Sequence, residues 1–302
     1  MNYRNSLFIA SSSFSTKDNQ IIKLLNKKKI SYKTNPTKQR LTEKEIIKYS
    51  KNFTHIIAGT ENYNDKVFTS LPNLKYIFRL GSGVDNIDFF SIKKRKIKFD
   101  KSSITPEVAV AELIIGFSIS ILRNLNEQNN NMKSKIWKKQ MGNLFKGKKF
   151  GIIGYGKVGK YLSKLAKALG ADLIINDKRK IHNSNQKTLN YLLSNSDIVS
   201  LNTNYNNRVL LNKKKLNKLK KNCIFINTSR AENIDNDHLY IMLKQKKIKA
   251  AAIDVFTNEP YYGKYTKLKN VILTPHIGAY AKEIRLSMER EAINKIIENY
   301  DI

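Results

Sequence analysis

Residues 148–177 constrain the fold more than any other stretch of the chain. They read Lys-Lys-Phe-Gly-Ile-Ile-Gly-Tyr-Gly-Lys-Val-Gly, then an apolar-periodic run, then Ala-Asp-Leu-Ile-Ile-Asn-Asp. Phe150 to Ile153 is short and apolar enough for a buried parallel strand. Val158, Leu162, Leu165, Ala166 and Leu169 recur at helical spacing until Gly170 stops the helix. The unit is therefore strand, glycine-rich turn, helix, strand. In that order the three glycines have separate tasks: Gly154 makes a tight turn, Gly156 lets backbone approach a pyrophosphate, and Gly159 lets helix pack on strand. The free N–H groups and positive dipole end of the helix favour phosphate there. The whole turn, Gly154, Tyr155, Gly156, Lys157, Val158 and Gly159, is thus a candidate dinucleotide cradle. Asp177, at the end of the second strand, is placed to accept hydrogen bonds from the adenosine ribose.

At 302 residues the chain has room for two domains. No apolar run is long enough to cross a bilayer, and Met1 to Ser13 lacks the pattern of a secretion signal, so a soluble, cytoplasmic protein is expected. The single cysteine, Cys223, lies in an apolar run and reads as a buried strand residue rather than a nucleophile or ligand. No metal site is expected. The formal charge of +32 invites a nucleic-acid reading. The lysines, however, are spread along the whole chain together with an excess of Asn, Ile and Tyr, and no basic segment is interleaved with aromatic residues. Nucleic acid is therefore not an expected partner, although the charge can steer anions toward a cleft.

Before the nucleotide unit, strands are expected at Leu7–Ala10, Ile30–Tyr32, Thr54–Ala58, Leu74–Leu80 and Ile97–Phe99. Helices are expected around Ile21–Leu25, Glu43–Tyr49 and Asp65–Leu71. Such alternation makes a parallel sheet whose ligands gather beyond the strand C-terminal ends. The fourth strand runs into Gly81-Ser82-Gly83-Val84-Asp85-Asn86, where Gly81 and Gly83 leave backbone N–H groups within reach of an anion; a plain turn reads equally well. Pro106 and Glu107 start a long apolar helix, Val108 to Leu122, too apolar for a surface position and expected to be buried between domains or subunits. Asn124 to Gly147 is polar, with Trp137 as its one large anchor, and reads as a boundary loop. After Asp177 come strands at Ile198–Leu201, Ile224–Asn227, Ala250–Val255 and Val271–Leu273. Helices are expected at Leu189–Leu193, Leu211–Leu219, Leu239–Leu243 and Glu283–Glu298.

Arg230, Glu259 and His276 follow three successive strands, so each emerges at the same edge of one sheet. Singly they read as a surface arginine, a loop glutamate before Pro260 and a histidine satisfying a carbonyl. Together they point to chemistry.

These segments carry a resemblance. Asn227-Thr228-Ser229-Arg230, Ala252-Ile253-Asp254-Val255-Phe256 with Glu259-Pro260, Thr274-Pro275-His276-Ile277-Gly278, Gly81 to Asp88 and Val110-Ala111-Glu112-Leu113 resemble, in order, the signatures of the D-isomer-specific 2-hydroxyacid dehydrogenases. The resemblance implies an α/β protein of two doubly wound parallel-sheet domains, a Rossmann cofactor domain (104–277) inserted into a flavodoxin-like substrate domain (1–103 and 278–302). It implies a homodimer built on the helix and loop of 105–147, NAD as cofactor, and a small anionic 2-hydroxy or 2-oxo acid as substrate. It assigns His276 as proton donor and acceptor, with Glu259 holding it and favouring its charged form. Arg230 would bind the carboxylate and polarise the 2-oxo oxygen. Ser82 and Gly83 would take the substrate carboxylate through their amides. Asp254 would meet the nicotinamide carboxamide, with Thr228, His276 and Gly278 beside the cofactor.

Two departures stand out. Asn202-Thr203-Asn204-Tyr205 replaces a usual histidine and proline, and Ala231 stands where glycine usually follows the arginine. Lys178-Arg179-Lys180 could accommodate a 2′-phosphate, but Asp177 repels one, so NAD is favoured over NADP. Arg79 sits where the phosphoglycerate dehydrogenase branch carries an arginine for the substrate phosphate. The first expectation is therefore oxidation of 3-phosphoglycerate to 3-phosphohydroxypyruvate, as in serine biosynthesis, in a short form without a regulatory domain. Reduction of glyoxylate or hydroxypyruvate is the second. An NAD-dependent interaction module resembling the C-terminal-binding corepressors is a third reading of another class. Retention of Arg230, Glu259 and His276 counts against it, and turnover of NADH would separate it from an enzyme.

Overall fold

The computed structural model describes residues 5–14, 20–181 and 185–300, so the first four positions of the N-terminal stretch read above lie outside it. The chain divides into two compact units, Met1–Pro106 with Tyr280–Ile302, and Glu107–Ala279 between them in sequence.

The first unit holds β1 (Leu7–Ile9), α1 (Gln20–Lys27), β2 (Tyr32–Thr34), α2 (Glu43–Ser50), β3 (His55–Ala58), α3 (Asp65–Thr69), β4 (Tyr76–Arg79), α4 (Phe89–Lys94) and β5 (Lys98–Lys101). The sheet is wholly parallel, in the order β2-β1-β3-β4-β5, which is the flavodoxin-like order. Its central strands are buried on both faces, so they read as continuous apolar runs. α2 starts on a capping box, Thr42 accepting from the Glu45 amide while Glu45 accepts from that of Thr42. The expected strand at Ile30–Tyr32 lies two residues later. Ile30 instead closes the α1 turn, its amide N–H donating a hydrogen bond to the Leu25 carbonyl. α4 escaped the sequence reading; Asp88 nucleates it by accepting from the Phe90 and Ser91 amides.

The second unit holds α5 (Glu107–Leu122), α6 (Leu125–Lys133), β6 (Lys149–Ile153), α7 (Lys157–Ala168), β7 (Asp172–Asn176), α8 (Leu189–Asn195), β8 (Ile198–Leu201), α9 (Lys213–Leu216), β9 (Ile224–Asn227), α10 (Asn236–Lys244), β10 (Ala250–Ile253) and β11 (Val271–Leu273). Its six strands are parallel in the order β11-β10-β9-β8-β6-β7. An isolated parallel bridge, Ile175↔Gln186, adds a vestigial strand outside β7, which completes the order of a dinucleotide-binding sheet with its switch point between β6 and β8. Cys223, as expected, is buried, and burial pushes its thiol up.

α5 buries Val110, Ala111, Ile114, Phe117 and Ile121 in one cluster with Phe150, Leu162 and Ala166, so its apolar run is used largely inside this unit. The segment expected as a plain loop after it contains α6, none of whose residues is buried. Trp137 does not anchor the segment within its own chain: it is 79% exposed. The basic helix expected over Leu211–Leu219 shrinks to α9, because Leu211 instead pairs with Ile234 in a bridge. Among the described residues no single helix is long and apolar enough to cross a membrane; α5 and α6 together have the length but bend by 63°.

The last helix, α11 (Lys282–Glu298), returns to the first unit. Its Met288, Ala292, Ile293 and Ile296 pack on Leu7, Ile9, Ile57, Tyr76 and Phe78. Glu291 ties it to the end of β5 by accepting from the Ser102 hydroxyl and from the Ser103 amide at 2.9 Å.

Candidate active site

The glycine turn between β6 and α7 shows what each glycine is for. Gly154 has φ +92°, and a Cβ there would meet the Asn202 carbonyl oxygen at 2.7 Å; a Cβ on Gly159 would lie 2.1 Å from the Gly154 oxygen. Both are required by the protein itself. A Cβ on Gly156 would meet no protein atom within 4 Å. The space at Gly156 lies at the N-cap of α7, where no side chain caps the helix, as close approach of a phosphate requires. Asp177 is ordered at the end of β7. Its Oδ2 accepts from the Tyr155 amide at 2.7 Å, and its Oδ1 from the Arg179 amide at 2.9 Å and from the Arg179 guanidinium at 3.2 Å. Burial opposes ionisation of Asp177, but these bonds outweigh it and hold the carboxyl below its ordinary value. The hydroxyls of Thr203 and Thr228, just beyond β8 and β9, are buried without a hydrogen-bond partner. Buried polar atoms of that kind call for a partner. The residues present therefore fit a dinucleotide.

Strand register sets the rest of the edge. Leu201, Asn227, Ile253 and Leu273 stand level across β8, β9, β10 and β11, so Thr228, Asp254 and Thr274 leave the sheet together. Arg230 precedes a short 3-10 turn, Ala231–Asn233, and its Nη1 donates to the Ser229 carbonyl at 2.7 Å. Ala231 is absent from the positive-φ residues, so alanine in place of glycine there costs no backbone strain.

His276 is brought to Glu259: Nδ1 lies 3.1 Å from each carboxylate oxygen. Glu259 is itself held by the Phe256 amide, which donates to Oε1 at 3.1 Å. The His276 backbone is in the left-handed region, φ +56°, a conformation uncommon for a side-chain-bearing residue. Asp254 explains how it is held there. Its Oδ1 accepts from the Ile277 amide at 2.8 Å and from the Thr274 hydroxyl at 2.6 Å, and its Oδ2 accepts from the Gly278 amide at 2.8 Å. Asp254 is fully buried, and burial raises its carboxyl above the ordinary value despite the hydrogen bonds from Thr274, Ile277 and Gly278. Its carboxylate therefore clasps the His276 loop, a role that spacing along the chain did not reveal.

In the first unit, Gly81 has φ +136°, and the amides of Ser82 and Gly83 make no hydrogen bond among the described residues. Arg79 ends β4 and is buried. It is 7% exposed, its Nε donates to Asn86 Oδ1 at 3.2 Å, and its Nη1 donates to the Leu80 carbonyl. Sequence reading also passed over Lys101, whose Nζ lies 3.5 Å from the Ser82 carbonyl oxygen; its place at the end of β5, level with Arg79, was the available signal. Among the described residues no group of three His, Cys, Asp or Glu side chains is arranged to hold a metal ion.

Comparison with known proteins agrees with this fold. Residues 115–278 match the model of the D-isomer specific 2-hydroxyacid dehydrogenase NAD-binding domain. A glyoxylate reductase from Thermococcus litoralis is 32% identical over 79% of this chain and 77% of its own length. A D-3-phosphoglycerate dehydrogenase from Haemophilus influenzae is 34% identical over 82% of this chain and 62% of its own. A crystal structure of a D-isomer specific 2-hydroxyacid dehydrogenase from Polaromonas superposes with a TM-score of 0.86 at 25% identity, over 99% of this chain and 98% of that one. The chain belongs to the D-isomer specific 2-hydroxyacid dehydrogenase family. It is an NAD-dependent oxidoreductase acting on a D-2-hydroxy acid and 2-oxo acid pair.

Proposed function

We propose that His276 carries the proton, Glu259 orients it, and Arg230 binds and polarises the 2-oxo acid, with Gly154–Gly159, Asp177 and Thr228 holding NAD and Ser82 and Gly83 holding the substrate carboxylate. The observation that carries this reading is the bond of His276 Nδ1 to Glu259. A carboxylate accepts, so Nδ1 carries hydrogen and Nε2 is left to exchange a proton with the substrate oxygen. NAD supplies or takes the hydride. The unit of Glu107–Ala279 binds the cofactor, and that of Met1–Pro106 with Tyr280–Ile302 binds the acid.

For the substrate, the phosphoglycerate reading leaned on Arg79, and that side chain is buried against Leu80 and Asn86. A small unphosphorylated 2-oxo acid, glyoxylate or hydroxypyruvate, is the better fit. 3-Phosphoglycerate is the second reading, favoured by the Haemophilus relative at 34% identity. NADH absorbance with a panel of glyoxylate, hydroxypyruvate, phosphohydroxypyruvate and pyruvate tests both. The highest kcat/KM is expected for glyoxylate or hydroxypyruvate; a preference for the phosphorylated acid restores the second reading, and no turnover at all returns the interaction module.

A homodimer belongs to the same proposal. Leu125, Met132, Ile136, Trp137, Met141 and Leu144 are all at least 47% exposed within one stretch, and a row of large apolar side chains in water marks a protein interface.

A further inference from the structure

Arg79 and Lys101 stand level at the C-terminal ends of β4 and β5, and the fold gives their charges opposite fates. Arg79 belongs to a buried cluster. It donates to Asn86 Oδ1, and Asn86 Nδ2 donates in turn to the carbonyls of Gly59 at 3.2 Å and Glu61 at 2.6 Å. Glu61 is 2% exposed, and its Oε2 accepts from the Gly59 amide at 2.7 Å. Burial raises the Glu61 carboxyl, opposed by backbone hydrogen bonds and by the charges of Arg79 and Arg40. The guanidinium is thus enclosed with an acid and amide oxygens, where it braces the Gly59–Glu61 loop against the turn of Gly81 to Asn86. A Cβ on Gly81 would lie 2.8 Å from Arg79 Nη1, so the glycine turn is laid directly over this brace.

Lys101 is exposed, and among the described residues the one hydrogen bond of its ammonium, to the Ser82 carbonyl, is at the long limit of the geometry. Its ammonium therefore leans on the turn whose Ser82 and Gly83 amides have no partner among the described residues, with donors to spare. We infer that Lys101 is the cation that meets the substrate carboxylate at the Ser82–Gly83 turn, and that Arg79 with Glu61 positions the turn without touching substrate. The inference rests on the proposed binding of the carboxylate by those amides. Amides alone offer partial charges; a lysine beside them adds a full, hydrated and salt-screened one.

The test compares wild type, Lys101→Gln and Lys101→Arg with NADH and glyoxylate over a salt series. Lys101→Gln is expected to raise the glyoxylate KM roughly tenfold, as befits loss of one charge-assisted bond, with kcat within about twofold. The salt dependence of KM should flatten, and Lys101→Arg should retain most of the affinity. An unchanged KM, or a loss confined to phosphohydroxypyruvate, overturns the assignment. If the wild type turns over no 2-oxo acid, the functional reading fails separately. Calorimetric titration of oxamate, an unreactive analogue with one carboxylate, then decides Lys101: weaker binding by Lys101→Gln supports it and equal binding refutes it.

Discussion

His276 Nδ1 lies 3.1 Å from both oxygens of Glu259, and the two side chains are unequally sheltered, 34% and 16% exposed. The more buried carboxylate is the fixed partner, and the imidazole presents its other nitrogen.

Replacing His276 by alanine is expected to lower kcat by roughly 10²–10⁴, the usual worth of a general acid–base group. NADH affinity, followed by fluorescence, should stay within a fewfold. Glu259→Gln keeps an acceptor near Nδ1 but removes the charge, so its kcat should fall less than that of His276→Ala. Near-normal turnover of His276→Ala would remove the imidazole from the chemistry.

Two glycines of one turn should behave oppositely. Gly159→Ala places a Cβ 2.1 Å from the Gly154 oxygen, an overpacking that costs about 1–3 kcal/mol, and its melting temperature should fall. A Cβ on Gly156 meets no protein atom within 4 Å, so the melting temperature of Gly156→Val should hold while calorimetry reads weaker NADH binding. Unchanged NADH affinity in Gly156→Val would displace the cofactor from this turn.

Trp137 and Met141 are 79% and 97% exposed. If a second copy covers them, Trp137→Glu with Met141→Glu should shift the sedimentation coefficient from that of a dimer to that of a monomer. A wild type that sediments as a monomer contradicts the proposed assembly.

Glu291 joins α11 to the end of β5. Burial opposes its ionisation, but bonds from Ser102 and Ser103 outweigh it and hold the carboxyl below its ordinary value. A carboxyl lowered in the folded state stabilises above the unfolded pKa, about 4.3, and the contribution disappears as pH falls through the folded value. Chemical denaturation should show Glu291→Gln less stable by about 1 kcal/mol near neutrality. The difference should shrink below about pH 4. A difference that persists unchanged at lower pH would assign the loss to packing.

Much of this protein could be read along the chain. The glycine turn, its flanking strands and Asp177 fall within thirty residues, and the apolar runs of β3, β4, β8 and β9 mark strands buried on both faces. Arg230, Glu259 and His276 could be placed at one edge because successive parallel strands end alike. Two helices were not legible: α4 buries only Ser91 and Ile92, and α6 has no buried face to leave an apolar stripe.

What sequence alone determined is the set of features fixed by local sterics and period, namely the order of strands and helices and the glycines of the nucleotide turn, while the family came from the resemblance of its signature segments. What tertiary structure decided is which polar groups meet. Asp254 and Gly278 are 24 residues apart yet bonded at 2.8 Å, and this clasp holds His276 in a left-handed conformation that its neighbours in sequence do not demand. Arg79 and Lys101 are both cations at strand ends, indistinguishable in a sequence. Burial beside Glu61 and Asn86 enclosed the first and left the second over the glycine turn, because a charge is spent on whichever partners the packed chain brings within reach.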